Sequence, residues 1–283
     1  MNPMKEKLIP TGILSLDTVL GGGLPAGAFV LLLGEDGAGH QEFAYTSALM
    51  LSQLIESPEL AAGGGTKLLP EKIYYISLTR AVEDVFNELK MSFSFAAGTA
   101  FEKNIRFLDF SREYFRRSIV PYSWLSREFS VEEVEKLMAG EQDLLSALTA
   151  GLGEIKDERC VVIFDSLTAL ATCPEVEWEN LLAFLRGVQR ALKLNEGARL
   201  LYGLLTKDVL GRSCEEAISD CADAVFVFKW EAFGTTQRRR EMYVRKLRGL
   251  MPRLESEGIA NFEVRITSRG GFEISKIKEV LGR

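Results

Sequence analysis

FVLLLGEDGAGHQEF, residues Phe29–Phe43, reads as a buried strand, a glycine-rich turn and the opening of a helix. Ala28–Leu33 is a continuous apolar run, the pattern of a parallel strand covered on both faces. Gly34, Gly37 and Gly39 have the spacing of a loop whose backbone N–H groups, with those of Ala38 and the helix N-terminus, surround phosphate oxygens. Such a P-loop continues with a lysine and then a serine or threonine; this chain has His40 and Gln41. A histidine with an unperturbed pKa near 6.5 is mostly neutral at pH 7 and reaches less far than lysine. Losing one charge-assisted hydrogen bond of about 1.5–3 kcal/mol lowers phosphate affinity roughly 10- to 100-fold. Gln41 brings an amide oxygen where octahedral Mg²⁺ wants a compact hydroxyl, and Asp36 adds negative charge to the loop.

Upstream, TGILSLDTVLGGGLPAG (Thr11–Gly27) makes a short amphipathic helix over Leu14–Leu20, stopped by Gly21–Gly23, and a tight Leu24-Pro25 turn into the strand. Downstream, the helix after the glycine turn carries Phe43, Ala44, Ser47, Leu51 and Leu54 at helical spacing and ends near Ser57-Pro58. Strands are predicted at Lys72–Leu78, Asn104–Phe110, Cys160–Phe164, Arg199–Leu205 and Ala224–Phe228. Helices are predicted at Ala81–Met91, Glu141–Lys156, Trp178–Leu194 and near Cys214–Cys221. Arg240–Leu247, Ile259–Ile266 and Gly271–Ile274 read as antiparallel strands. The expected architecture is three-layer α/β: a mostly parallel central sheet with an antiparallel C-terminal extension. Residues 1–283 read as one domain. Ser111–Gly140, with its aromatic and arginine content and a Ser130/Glu133 capping box, reads as an insertion in it.

The chain has 283 residues, 47% hydrophobic and 26% charged, with a net charge of −6, the profile of an ordinary globular protein. Its acidity argues against coating nucleic acid, and no apolar run reaches the length of a membrane span. The polar N-terminus shows no secretory signal, and the four cysteines form no CxxC; a reduced, cytoplasmic protein is expected. His40 is the only histidine and stands without clustered cysteines or carboxylates, a poor zinc site.

The chain resembles the RecA-like ATPases of the KaiC type, widespread in archaea and bacteria. The residues that carry the resemblance are Thr11-Gly12 with Asp17, Leu20–Pro25, Gly27, Gly34-x-x-Gly37-x-Gly39, Ile73–Leu78, Val161–Ser166, Thr206 and Arg245-Lys246-Leu247-Arg248-Gly249. The resemblance implies a nucleotide site of Gly34, Gly37, Ala38, Gly39, His40 and Gln41, for ATP or ADP, with or without Mg²⁺. It implies Asp165 as the metal aspartate, and rings in which Lys246 and Arg248 reach a neighbour's phosphates. It also implies a catalytic carboxylate after the second strand, where this chain has Thr79-Arg80; Glu83 is the nearest substitute. The expectation is therefore a KaiC-like protein with a degenerate nucleotide site that does not hydrolyse ATP. It would act as a regulatory or interaction protein, alone in homo-oligomers or with a related chain. Two other readings stay open. One is an ATPase with rearranged residues, using Glu83 as base and Lys207 or a neighbour's Lys246 as phosphate lysine. The other is a recombinase paralogue that binds DNA through Arg238–Arg240, a run that reads first as a solvated hairpin and next as a subunit interface reaching a neighbour's site.

Overall fold

Every residue of the strand Phe29–Gly34 is buried, and the rest of the molecule is arranged around it. The computed structural model describes residues 7–61, 68–96, 101–125, 143–194, 197–233, 237–256 and 261–276. In chain order the elements are β1 (Leu8–Ile9), α1 (Leu14–Leu20), β2 (Leu24–Pro25), β3 (Phe29–Gly34), α2 (His40–Glu56), β4 (Lys72–Ser77), α3 (Val82–Ser92), α4 (Phe101–Asn104), β5 (Ile105–Asp109), α5 (Ser111–Phe115) and α6 (Leu144–Gly153). They continue with β6 (Cys160–Asp165), α7 (Leu167–Thr172), α8 (Trp178–Leu194), β7 (Arg199–Thr206), α9 (Arg212–Cys221), β8 (Ala224–Phe233), β9 (Gln237–Leu247), α10 (Met251–Ser256), β10 (Asn261–Thr267) and β11 (Gly271–Lys276).

A nine-stranded sheet runs β11-β10-β9-β8-β3-β7-β6-β4-β5. From β8 to β5 it is parallel, and β9, β10 and β11 extend it antiparallel, as the sequence pattern predicts. Successive residues of β3 serve different cores because side chains alternate across a strand. Val30 and Leu32 join one cluster with Phe43, Tyr45 and Leu51 of α2 and Val85 and Leu89 of α3. Phe29, Leu31 and Leu33 join the other with Leu148 of α6, Leu181 and Leu185 of α8 and Ile218 of α9. Each such side chain contributes roughly 1.5–3 kcal/mol by leaving water. Phe43 lies edge-on to Tyr202, Phe226, Phe228 and Phe272, with ring centroids 5.3–6.0 Å apart.

The Thr11–Asp17 motif proves to be a buried tie between the start of α1 and the segment ahead of it. The Asp17 carboxylate accepts from the Thr11 N–H (2.7 Å), the Thr11 hydroxyl (2.8 Å) and the Gly12 N–H (3.2 Å). Some elements differ from the expected ones. β8 and β9 run past Phe228 and start before Arg240, so Arg238–Arg240 lies within a strand rather than ahead of it. The two-residue pair β1–β2 and the short helices α4, α5, α7 and α10 are additional; none is long enough to display a period in sequence. Of the expected insertion, α5 begins on the buried Ser111, while the Ser130/Glu133 box lies outside the described residues.

Candidate functional site

The parallel strands end together and so place the site. Gly34 is level with Thr206 and Phe228 on its two neighbours, and Ser77 is level with Asp165. The carboxyl ends of β3, β4, β6 and β7 thus form one rim, the usual ligand position in an open α/β sheet.

At β3 the chain turns through Glu35–Gly39. Gly37 (φ 68°) and Gly39 (φ 113°) take the left-handed conformations that the turn requires and other residues resist. The Ala38 N–H donates to the Glu35 carbonyl at 2.9 Å, and α2 starts at His40 with no side-chain cap, leaving first-turn N–H groups facing the turn. Neighbouring strands hold this loop from outside. The Glu35 carboxylate accepts from the Trp230 N–H (3.0 Å) and pairs with Lys207 (2.9 Å). The Trp230 indole donates to the Asp36 carbonyl at 3.0 Å and the Arg240 Nε to the Gly37 carbonyl at 2.9 Å, with the guanidinium 4.4 Å from the Trp230 ring centroid. Burial opposes the charge on Glu35, but the Trp230 N–H and Lys207 outweigh it and hold the carboxyl below its usual range. The Glu35 hydrogen bond raises Lys207 in return.

His40 occupies the phosphate-lysine position without serving as a cation. Its ring packs so closely on Gly34 that a Cβ there would stand 2.2 Å from Nδ1. The residue is 9% exposed, and Nδ1 has no hydrogen-bond partner among the described residues. Burial, only partly offset by Asp36, lowers its pKa to about 4, so it is neutral at pH 7. Gln41 is turned away from the loop: its Nε2 donates to the Tyr45 hydroxyl at 2.7 Å.

At the β4–β6 corner, Ser77 Oγ donates to the Arg80 carbonyl (2.8 Å) and accepts from the Arg80 N–H (3.0 Å), pinning Arg80 just past the end of β4. The Arg80 guanidinium bonds the Tyr45 hydroxyl (2.7 Å) and forms a close ion pair with Glu88. Burial works against its charge, but Tyr45 and Glu88 raise its pKa above the ordinary arginine value. The buried Tyr75 hydroxyl donates to Asp165 at 2.5 Å, and its ring stacks on Phe107 at 5.4 Å. Burial raises Asp165, with Tyr75 and Arg80 pulling the other way. A hard divalent cation wants several free carboxylate, hydroxyl or water oxygens. Here the amide donates to a phenol, the carboxylate is already bonded by another phenol, and a guanidinium lies among them. This donor set does not fit Mg²⁺, and among the described residues no three His, Cys, Asp or Glu side chains converge as a metal site.

Gly34, Gly37, Ala38, Gly39, His40 and Gln41 therefore share one turn, and Asp165 lies on the same rim. Glu83 is exposed in the first turn of α3; Glu88, a turn and more further along, is the carboxylate that engages the corner. Lys246 and Arg248 sit at the other end of the sheet. Arg248 is level with Phe29, roughly 17 Å back along β3 from Gly34. The Lys246 ammonium binds the Ser219 and Asp220 carbonyls (both 3.1 Å), and Arg248 binds Asp223 (3.2 Å), which also holds Lys193 (2.6 Å) and Gln189 (3.0 Å). The arginine run is thus divided: Arg240 belongs to the glycine turn, Arg239 to Glu241 (2.7 Å), and Arg245 to Glu216. Sequence reasoning missed Tyr45, Tyr75, Glu88 and Trp230; only Tyr45 left a signal, one helical turn after Gln41.

No protein-family model matches the chain, and no curated protein matches it. Solved structures do. A KaiC-like protein of the hyperthermophilic archaeon Pyrococcus horikoshii superposes with TM-score 0.60 at 17% identity, over 96% of this chain and all of that one. The flagellar accessory protein FlaH of Methanocaldococcus jannaschii superposes with TM-score 0.60 at 16% identity, over 93% of this chain and 95% of its own. No helix among the described residues is long and apolar enough to cross a membrane. With its parallel sheet and antiparallel tail, the chain has the fold of these KaiC-like structures.

Proposed function

We propose that this protein is a non-hydrolysing member of its fold: a regulatory or interaction protein that keeps the nucleotide-loop scaffold and has lost the hydrolytic machinery. The observation that carries this reading is Arg80. Past β4, where a general base would have to face the attacking water, stands a guanidinium that cannot accept a proton, tied to Tyr45 and Glu88. Asp165 with its Tyr75 hydrogen bond and the neutral His40 support it. Lys246 and Arg248 lie at the end of the sheet away from their own turn, where a second copy or a related chain would have to meet them. Phosphate release at saturating ATP and Mg²⁺ tests the proposal. Turnover indistinguishable from the Asp165→Ala variant is expected, and a steady rate that Asp165→Ala abolishes would sink it.

A second reading has one observation behind it. Lys207 places an ammonium 2.9 Å from Glu35 of the loop itself. A cation so close could assist a phosphate in the turn, giving a nucleotide-binding protein without turnover. A fluorescent ADP analogue whose binding weakens on Lys207→Ala favours it.

A further inference from the structure

The β4–β6 corner holds a positive charge of its own. We infer that the Arg80 guanidinium takes the place of a divalent metal ion there, so that the site excludes Mg²⁺ and Mn²⁺ and suits a phosphate anion that brings no metal. This rests on the reading above that Gly34–Gln41 is the nucleotide loop.

Three arrangements support it. First, Arg80 is positioned from the backbone outward: Ser77 Oγ binds both its N–H and its carbonyl, and Ser77 is the residue level with Asp165. Second, the guanidinium is wired to the loop. It donates to the Tyr45 hydroxyl, which also receives the Gln41 amide at 2.7 Å and lies 3.1 Å from a Glu88 carboxylate oxygen. Gln41 and Asp165 are the two side chains that would face a metal in a P-loop site, and both are spoken for by phenols. Third, the corner carries a fixed cation without a metal: Arg80 pairs with Glu88, and Asp165 takes its hydrogen bond from Tyr75. A guanidinium stays protonated at every pH a protein survives, so that cation is permanent. A divalent ion added beside it would meet repulsion and too few free oxygens.

The experiment is Mn²⁺ electron paramagnetic resonance on the full chain, with and without ADP. No protein-bound Mn²⁺ is expected in either condition, and the melting temperature should be equal in EDTA and in Mg²⁺. Stoichiometric bound Mn²⁺ that Asp165→Asn removes would overturn the inference. Arg80→Met keeps the length of the side chain and removes its charge. It should bind Mn²⁺ at least about tenfold tighter than the wild type, because a cation within about 4–6 Å shifts a carboxylate's affinity for another cation by one to three powers of ten. Arg80→Lys restores a charge and should exclude the ion again. No gain in folded Arg80→Met also overturns it; if that variant does not fold, the wild-type and Arg80→Lys spectra still decide. ATP turnover is read separately, so this inference and the proposed function can fail independently.

Discussion

The glycine turn and the β4–β6 corner share one rim of the sheet and are built in opposite ways. The turn is a backbone shape held from outside: Lys207, Trp230 and Arg240, from β7, β8 and β9 and their ends, grip its carboxylate and carbonyls. The corner is a set of side chains gripping one another: Tyr45, Tyr75, Arg80, Glu88 and Asp165. A backbone shape braced by neighbouring strands tolerates changes in the side chains that line it. A cluster of side chains has no such brace, and its chemistry changes with its letters. That is why the turn keeps the outline of a phosphate loop while the corner is a closed network of side chains.

The comparison can be strained from either side. The largest expected effect is at the turn. Gly34→Ala would drive a Cβ to within 2.2 Å of the His40 ring, and overpacking of this kind should cost about 3 kcal/mol, read from the urea midpoint. Adding His40→Ala to the same chain should return most of that loss. A brace that yields more easily than this would weaken the contrast drawn above.

Acid tests the turn next. The folded-state pKa of His40, about 4, lies below its ordinary 6.5. Protonation therefore favours the unfolded chain, and the stability linked to neutral His40 is present in full above pH 6.5 and is lost as pH falls toward 4. The wild type should lose about 2–3 kcal/mol more than His40→Gln between pH 7.5 and 4.5, at 1.36 kcal/mol per unit. Asp165, raised in the folded state, has the opposite sign and gains from acid, so His40→Gln is the reference that isolates the turn. The single histidine also allows a direct reading: its ring proton resonances should titrate well below pH 6.

At the corner, Tyr75→Phe removes the hydroxyl that donates to Asp165 and should cost about 1–2 kcal/mol, with Tm as the readout. The smallest effect belongs to the brace. Trp230→Phe removes the indole bond to the Asp36 carbonyl and should cost about 1 kcal/mol while leaving the sheet intact. If Trp230→Phe cost more than Tyr75→Phe, the turn would depend on one side chain rather than on several strands.

How far the sequence could be read follows from distance along the chain. The turn lies within a few consecutive residues, and its glycines declare their conformations. The 17-residue α8 matches its predicted bounds because an amphipathic stripe of that length fixes a helix at both ends. The place of Asp165 at a strand end is legible because it follows a buried apolar run. Its partner Tyr75 is 90 residues away and Arg80 is 35 from Tyr45, so the spacing of neither pair predicts the contact. Arg80 could be recognised as a missing carboxylate, but not as part of a network. The arginine run looked like one basic patch because its members are adjacent in sequence. A strand spreads them along its length, and each finds a different partner.

β11 closes one side of the nine-stranded sheet. The Phe272 N–H donates to the Thr46 hydroxyl (2.9 Å) and the Ile274 N–H to the Ser15 hydroxyl (3.1 Å). An edge strand ordinarily offers such donors to any extended chain that drifts past, which is how sheets template one another into aggregates. Here two threads of the first two helices have already sewn that hem. A second chain that joined on this side would have to unpick a bond at 2.9 Å and another at 3.1 Å before it could add a single rung.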